Sequence, residues 1–168
     1  MKKVFAISIV VITYNFCLSQ TSNNQLNQQL NEMKNSFILN DIDSYVNYID
    51  SFTIESMGGK NNAIKIFREE FDKKRDEGFS FLEIDYKDPS KFLKRNNELQ
   101  CSITQEMLLE SPEGKMLVEY SIIAISIDEG NNWKFIDTYG KKKEIVLDVF
   151  SNISHELPII PISKTPVD

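Results

Sequence analysis

The spacing of apolar residues changes once along this chain, near Gly78, and that change limits the folds open to it. Before Gly78, apolar residues recur every three or four positions, which is typical of amphipathic helices. After Gly78, they alternate with polar residues between turn signals, which is typical of strands. Helices followed by a run of strands predict an α+β fold, with the N-terminal helices packed on one face of a bent antiparallel sheet. The two clearest helical patterns are Leu26, Leu30, Met33 and Phe37, then Ile64, Phe67 and Phe71.

Shorter stretches complete the predicted order of elements. The stretch "NDIDSYVNYID" predicts a second, shorter helix with Asp41 as its N-cap. The next stretch, "SFTIES", predicts a short strand, and "MGGK" predicts a turn after it. Strands are predicted in "FSFLEIDYK", in "KFLKRNNELQCSITQEMLLES" with a break or bend near Asn96, in "KMLVEYSIIAISID" and in "NNWKFIDTYG". The stretch "KKKEIVLDVFSNIS" fits both a helix and a strand, and we favour the helix. The proline-containing tail that follows is expected to be extended.

The N-terminal stretch "MKKVFAISIVVITYNFCLSQ" has the order of regions found in secretory signal peptides. Two lysines precede the apolar run Val4–Ile12, which is shorter than the ~20 residues of a membrane span. We therefore expect export, with cleavage after Ser19 and no stable membrane span. Cys17 lacks the small preceding residues of a lipid-attachment motif, so we do not favour a lipoprotein. The chain is divided into a signal peptide (1–19), one domain (20–140) and a C-terminal helix with an extended tail (141–168).

Charge and cysteine content argue against several classes of protein. Removal of residues 1–19 takes away two lysines and no acid, which leaves 17 basic and 25 acidic side chains and a net charge of −8. Such an acidic chain is unsuited to phosphate backbones, so we expect no nucleic-acid partner. Cys101 is then the one remaining cysteine, and the fold must depend on its hydrophobic core. Cys101 alternates with Leu99, Ile103 and Met107, which predicts a buried thiol rather than a nucleophile.

Several local motifs, in order, resemble those of the nuclear transport factor 2-like superfamily, which includes ketosteroid isomerase-like and SnoaL-like proteins. The stretch "FILNDIDSYVNYIDSFTIES" resembles the turn between the first two helices of that family. The stretch "MGGKNNAI" resembles the entry to the third helix, and "GNNWKFID" resembles the final hairpin. The resemblance covers roughly Gln25 to Tyr139. It implies a cone-shaped α+β fold with a pocket between the helices and the concave sheet.

The resemblance also implies where pocket residues would lie. Ketosteroid isomerase-like members place a tyrosine donor late in the first helix, where this chain has Met33, and a carboxylate base after the first strand, where it has Ser56. A second pocket acid would fall at the apolar Ile122 or Ile123. These departures argue against that mechanism, so we assign no catalytic residue. The candidate pocket residues are Tyr45, Glu55, Asp85, Tyr120, Trp133 and Asp137; for Trp133, a core position is the favoured interpretation.

Three functions remain open from the sequence. The first, which we favour, is an exported non-catalytic domain that binds a small apolar ligand or a protein partner through the pocket. The second is an enzyme of the isomerase, dehydratase or cyclase type, with Glu55, Asp85 or Asp137 as base and Tyr45 or Tyr120 as donor. The third is a structural module that forms a homodimer through the sheet face. His155 is the one histidine and lies in the tail, and no His/Cys cluster has metal-ligand spacing, so we expect neither a metal nor a cofactor.

Overall fold

The computed structural model describes residues 23–167. Helices come first in these residues and antiparallel strands follow, so the predicted α+β class is confirmed. The predicted signal peptide, with Cys17 and the cleavage position at Ser19, lies outside the described residues. Within residues 23–167, no helix has both the length and the apolar character that a membrane span requires.

Four helices precede the sheet. Helix α1 covers residues 23–38, and it is followed by α2 (Ile42–Tyr45), α3 (Ser51–Ser56) and α4 (Lys60–Asp76). Asp41 caps α2 as predicted, because its carboxylate accepts a hydrogen bond from the backbone N–H of Ser44 at 3.1 Å. Gly78 follows α4 with a φ of 81°, a left-handed conformation that favours glycine and turns the chain into the sheet.

The segment Ser51–Ser56 is helical, and the short strand predicted there is wrong. The Asp50 carboxylate accepts a hydrogen bond from the backbone N–H of Thr53 at 3.2 Å and so caps the helix. Pairing with the sheet is confined to a single bridge between Ile49 and Phe135. A local side-chain cap therefore outweighs the strand preference of the Phe, Thr and Ile side chains in this segment.

The sheet has six strands, all paired antiparallel. Its main path runs β1-β3-β4-β5, while β2 pairs with β3 and β6 pairs with β4. The predicted bend near Asn96 is a tight turn between β2 and β3, in which Asn96 and Asn97 have φ of 50° and 64°. The strands are β1 (Ser80–Tyr86), β2 (Leu93–Arg95), β3 (Glu98–Ser111), β4 (Gly114–Ser126), β5 (Lys134–Asp137) and β6 (Ser163–Val167).

Strand β4 is buried on both faces in its second half, as its continuous apolar run predicts. On one face, Ile122 and Ala124 pack in a core cluster with α1. On the other face, Ile123 and Ile125 pack in a second cluster that the C-terminal part of the chain completes. Successive strand residues point to opposite faces, so one strand supplies both cores.

The C-terminal segment forms the second core. Helix α5 (Lys143–Val149) confirms the predicted helix, and it places Val146 against the sheet. Phe150, Ile153 and Leu157 continue this packing after the helix ends. The tail is extended as predicted, and its strand β6 pairs with residues 115–119 of β4.

Candidate functional site

A cavity of about 410 Å³ lies between the helices and the sheet. Its volume falls in the range of roughly 300–1,000 Å³ that small-molecule sites occupy. Helices α1 and α4 and strands β1, β3, β4 and β5 all contribute side chains to its wall. Exposed charged residues at its rim include Glu70 and Lys74 of α4 and Lys164 of β6.

Aromatic rings form much of the cavity wall. Phe37 makes edge-to-face contacts with Phe71 and Phe81, with ring centroids 4.6 Å and 4.7 Å apart. Tyr45 makes a similar contact with Phe67 at 5.5 Å. Such contacts hold the rings in defined orientations, so this part of the wall is preformed. It offers apolar ring faces and edges to whatever enters.

Asp137, at the end of β5, is the one aspartate on the cavity wall among the described residues. Its carboxylate accepts a hydrogen bond from the backbone N–H of Tyr139 at 2.6 Å. The side chain of Asp137 keeps access to solvent, while the protein around it partly desolvates the carboxyl group. This desolvation raises the pKa of Asp137, while the hydrogen bond from Tyr139, the charge of Lys141 and the nearby Tyr120 hydroxyl partly offset the rise.

Three tyrosines of the cavity wall interact electrostatically with this carboxylate. Burial and the charge of Asp137 raise the pKa of Tyr45, Tyr86 and Tyr120 well above the ordinary tyrosine value. The Tyr120 hydroxyl accepts a hydrogen bond from Nε2 of Gln105 at 2.6 Å. These tyrosines therefore stay protonated and can donate hydrogen bonds, and they do not act as anions at neutral pH.

The structure brings together three of the six candidate pocket residues. Tyr45, Tyr120 and Asp137 all line the cavity. Glu55 is exposed on α3, since the segment that was expected to be a strand is a helix. It does not belong to the cavity wall.

Asp85 is directed away from the cavity, and a β-bulge explains why. The pairing of β1 with β3 shifts by one residue between Phe81 and Glu83. Phe81 lines the cavity before the shift, and Ile84 and Tyr86 line it afterwards. The exposed Asp85 carboxylate instead lies 3.8 Å from Nζ of the partly buried Lys34. Continuous alternation from Phe81 would place Asp85 on the cavity face. The bulge inverts this alternation, so the prediction that Asp85 is a pocket residue is wrong.

Trp133 is a core residue outside the cavity. Its side chain is buried, donates from Nε1 to the carbonyl of Gly130 at 3.0 Å, and stacks on Phe92 at 5.7 Å between centroids. It also borders a second, polar groove next to α1. There, Gln29 accepts from the backbone N–H of Trp133 and donates to the carbonyl of Asn131, so its amide is engaged within the chain.

Tyr86 and Gln105 are among the wall residues that were not anticipated from the sequence. Tyr86 was missed because the bulge changes its face. The position of Gln105 could have been recognised in the sequence. Gln105 is a polar residue in the same alternation as Cys101, Ile103 and Met107, which form an apolar strand face. A buried amide at such a position requires a partner, and Tyr120 supplies it across the β3–β4 pair.

Metal ligation has no support in the described part of the chain, where no group of three or more His, Cys, Asp or Glu side chains is placed to hold an ion. Comparison with known proteins gives no family model, no curated protein and no solved structure that matches this chain. The case for any function therefore depends on the chemistry of the cavity itself.

Proposed function

We propose that this chain is an exported, non-catalytic binding protein that holds a small, mainly apolar ligand in the cavity between the helices and the sheet. The observation that carries the proposal is the cavity wall, in which rings from α1, α4 and β1 face one another with few polar groups among them. Removal of an apolar ligand from water is favourable by about 25 cal/mol for each Å² of apolar surface buried. A wall held by ring contacts loses little freedom when a ligand enters.

The experiment that tests this function is a fluorescence titration with N-phenylnaphthylamine, a neutral apolar dye whose emission rises in apolar surroundings. We expect saturable binding of one dye per chain. The substitution Met107→Phe enlarges a side chain on the cavity wall and is expected to weaken dye binding about tenfold, since the added volume competes with the ligand. Leu108→Phe is the matched control, because Leu108 lies next in β3 on the opposite face and does not line the cavity. Equal binding by both variants would count against the cavity as the site.

A second function is favoured by one specific arrangement, the Asp137 carboxyl beside the Tyr120 hydroxyl. A carboxyl group with a raised pKa can serve as a general base. A neighbouring tyrosine hydroxyl can then stabilise negative charge on the substrate by donating a hydrogen bond. Of the bases expected from the sequence, Glu55 and Asp85 do not line the cavity, so Asp137 is the one that remains. A screen of isomerase and dehydratase substrates would test this function. Turnover that Asp137→Asn abolishes, without loss of binding, would replace the binding proposal.

Export and family membership complete the proposal. The lysine pair and the apolar run Val4–Ile12 support export, and N-terminal sequencing of the protein from its own cells tests cleavage after Ser19. The order of helices, strands and cavity supports membership of the nuclear transport factor 2-like superfamily and its cone shape. An experimental structure superposed on members of that superfamily would decide this point.

A homodimer through the sheet face is less well supported than ligand binding. The face that carries Ile123, Ile125 and Ile136 is already covered by α5 and the segment after it. A partner would need to displace that segment or bind elsewhere. Light scattering on the mature protein across a range of concentrations measures the assembly state directly.

A further inference from the structure

Tyrosines are concentrated around one carboxylate in this molecule. The chain has six tyrosines, and Tyr45, Tyr86, Tyr120 and Tyr139 all line the same cavity as Asp137. They come from different parts of the chain, from the end of α2, from β1, from β4 and from the segment after β5. The rings of Tyr120 and Tyr139 meet edge to face, with centroids 5.1 Å apart. The fold therefore brings four tyrosines from different parts of the chain to the wall of one cavity.

Asp137 has only neutral partners close by. It accepts a hydrogen bond from the backbone N–H of Tyr139, and the Tyr120 hydroxyl interacts with it electrostatically. In the described part of the chain, no lysine or arginine forms an ion pair with it within 4.0 Å, and Lys141 acts on it only at longer range. A carboxylate that can be reached from the cavity and lacks an ion-pair partner is complementary to a ligand that brings a cation.

The tyrosine rings favour the same kind of ligand. The face of an aromatic ring attracts a cation, and rings arranged around an ammonium group are a recognised way to bind it. The chain itself gives an example at this cavity, where Nζ of Lys164 lies 6.0 Å from the centroid of the Tyr139 ring. The wall thus combines ring faces and a carboxylate, the two groups that bind an alkylammonium ion.

We propose that the ligand of this cavity is an amphipathic amine, whose ammonium group binds Asp137 among Tyr45, Tyr86, Tyr120 and Tyr139 and whose apolar body lies against Phe37 and Phe71. This inference rests on the proposed function, since it names the class of ligand for the same cavity. The charged groups at the rim are Glu70, Lys74 and Lys164, and Lys141 acts on Asp137 from outside the cavity wall. Lys74 is already paired with Glu77 at 2.7 Å.

Other head groups fit this end of the cavity less well. A ligand carboxylate would face the Asp137 carboxylate, and repulsion between like charges opposes its binding. A ligand hydroxyl can donate a hydrogen bond to Asp137, but a hydrogen bond between an ammonium and a carboxylate is roughly twice as strong as a neutral one. The expected order of affinity is therefore amine, then alcohol, then carboxylate.

The test compares nonylamine, nonanol and nonanoate by isothermal titration calorimetry on the mature protein at neutral pH. The three compounds share one apolar chain and differ at the head group. We expect nonylamine to bind about tenfold more tightly than nonanol, because the charge and the ring faces add to the same apolar contact. We expect Asp137→Asn to remove most of that preference, so that nonylamine and nonanol bind with similar affinity. The order of affinities for the unmodified protein tests the inference without any variant.

The controls separate the possible results. Asp85→Asn removes an exposed carboxylate outside the cavity, and it should keep the amine preference if the effect is local and not a general attraction to an acidic protein. If all three compounds bind alike, or nonanoate binds best, the amine inference is overturned and apolar binding stands. If the Asp137→Asn variant keeps the full preference, the inference is also overturned. If none of the three binds, the proposed function fails together with the inference.

Discussion

The side chain of Gln100 is fully buried and hydrogen-bonds the backbone of Asn152, 52 residues later in the chain, from Nε2 to the carbonyl oxygen at 2.9 Å. The same amide accepts a hydrogen bond from the backbone N–H of Ser154 at 2.9 Å. This one side chain therefore satisfies two main-chain groups of the C-terminal segment where it crosses the sheet. It fixes the position of the segment that completes the second core.

The first prediction concerns this link. Gln100→Leu keeps the approximate volume of the side chain but leaves the carbonyl of Asn152 and the N–H of Ser154 without partners. Each buried polar group left unpaired costs about 1–3 kcal/mol, so we expect a clear loss in the free energy of unfolding, measured by urea titration. Arg95→Gln is the matched control, since Arg95 donates to the nearby carbonyl of Ser151 from an exposed position. Its expected effect is within about 0.5 kcal/mol.

The second prediction concerns the apolar contacts of the same segment. Leu157 is fully buried in the second core, whereas Ile145 of α5 is 51% exposed. Leu157→Ala should lower the free energy of unfolding by about 2–5 kcal/mol, because it removes buried methyl groups and leaves a cavity. Ile145→Ala should change it little. If the two variants lost equal stability, the C-terminal segment would not be packed on the sheet in solution.

The architecture was predictable where the pattern of apolar residues extends over a long stretch. The long apolar run in β4 correctly predicted a central strand that is buried on both faces, and the proline-containing tail was correctly predicted to be extended. The sequence pattern also predicted that Cys101 is buried, and its side chain is fully buried in the first core. Each of these features follows from residue spacing and composition alone.

The candidate site was predictable only in part, because short local features decide which side chains face the cavity. The bulge after Phe81 directs Asp85 outward and Tyr86 inward, and no turn residue in β1 signals it. The Asp50 cap makes a helix of the segment that holds Glu55. Asp50 was a visible signal, because it precedes that segment by one residue. The bulge depends on pairing with β3, which the spacing of apolar residues does not reveal.

The third prediction concerns the reactivity of Cys101. Burial raises the pKa of this thiol to about 12, so very little thiolate exists at neutral pH. In mature protein without residues 1–19, we expect a disulfide reagent to label Cys101 only as fast as the chain unfolds. The unfolded protein in urea should give one thiol per chain at once, which serves as the control. Fast and complete labelling of the folded protein would contradict the buried position.

The last prediction concerns the dependence of stability on pH at Asp137. Desolvation raises the pKa of this carboxyl in the folded chain above the value of about 3.9 that it has when unfolded. Between those two pKa values the folded chain binds more protons than the unfolded chain, so the free energy of unfolding falls as pH rises through this window. The cost of the charged carboxylate is then fully present above the folded pKa.

Asp137→Asn removes this charge and keeps a side-chain oxygen that can accept from the N–H of Tyr139. We therefore expect the variant to be more stable than the unmodified protein at neutral pH, and the difference to shrink as the pH falls toward about 4. Urea titrations of both proteins at a series of pH values measure this difference, and contributions from other titrating groups cancel because both proteins share them. A variant that is less stable at neutral pH would show that the Asp137 carboxylate is compensated within the chain. That result would also remove the reason for a cationic ligand, since the carboxylate would then need no charge from outside.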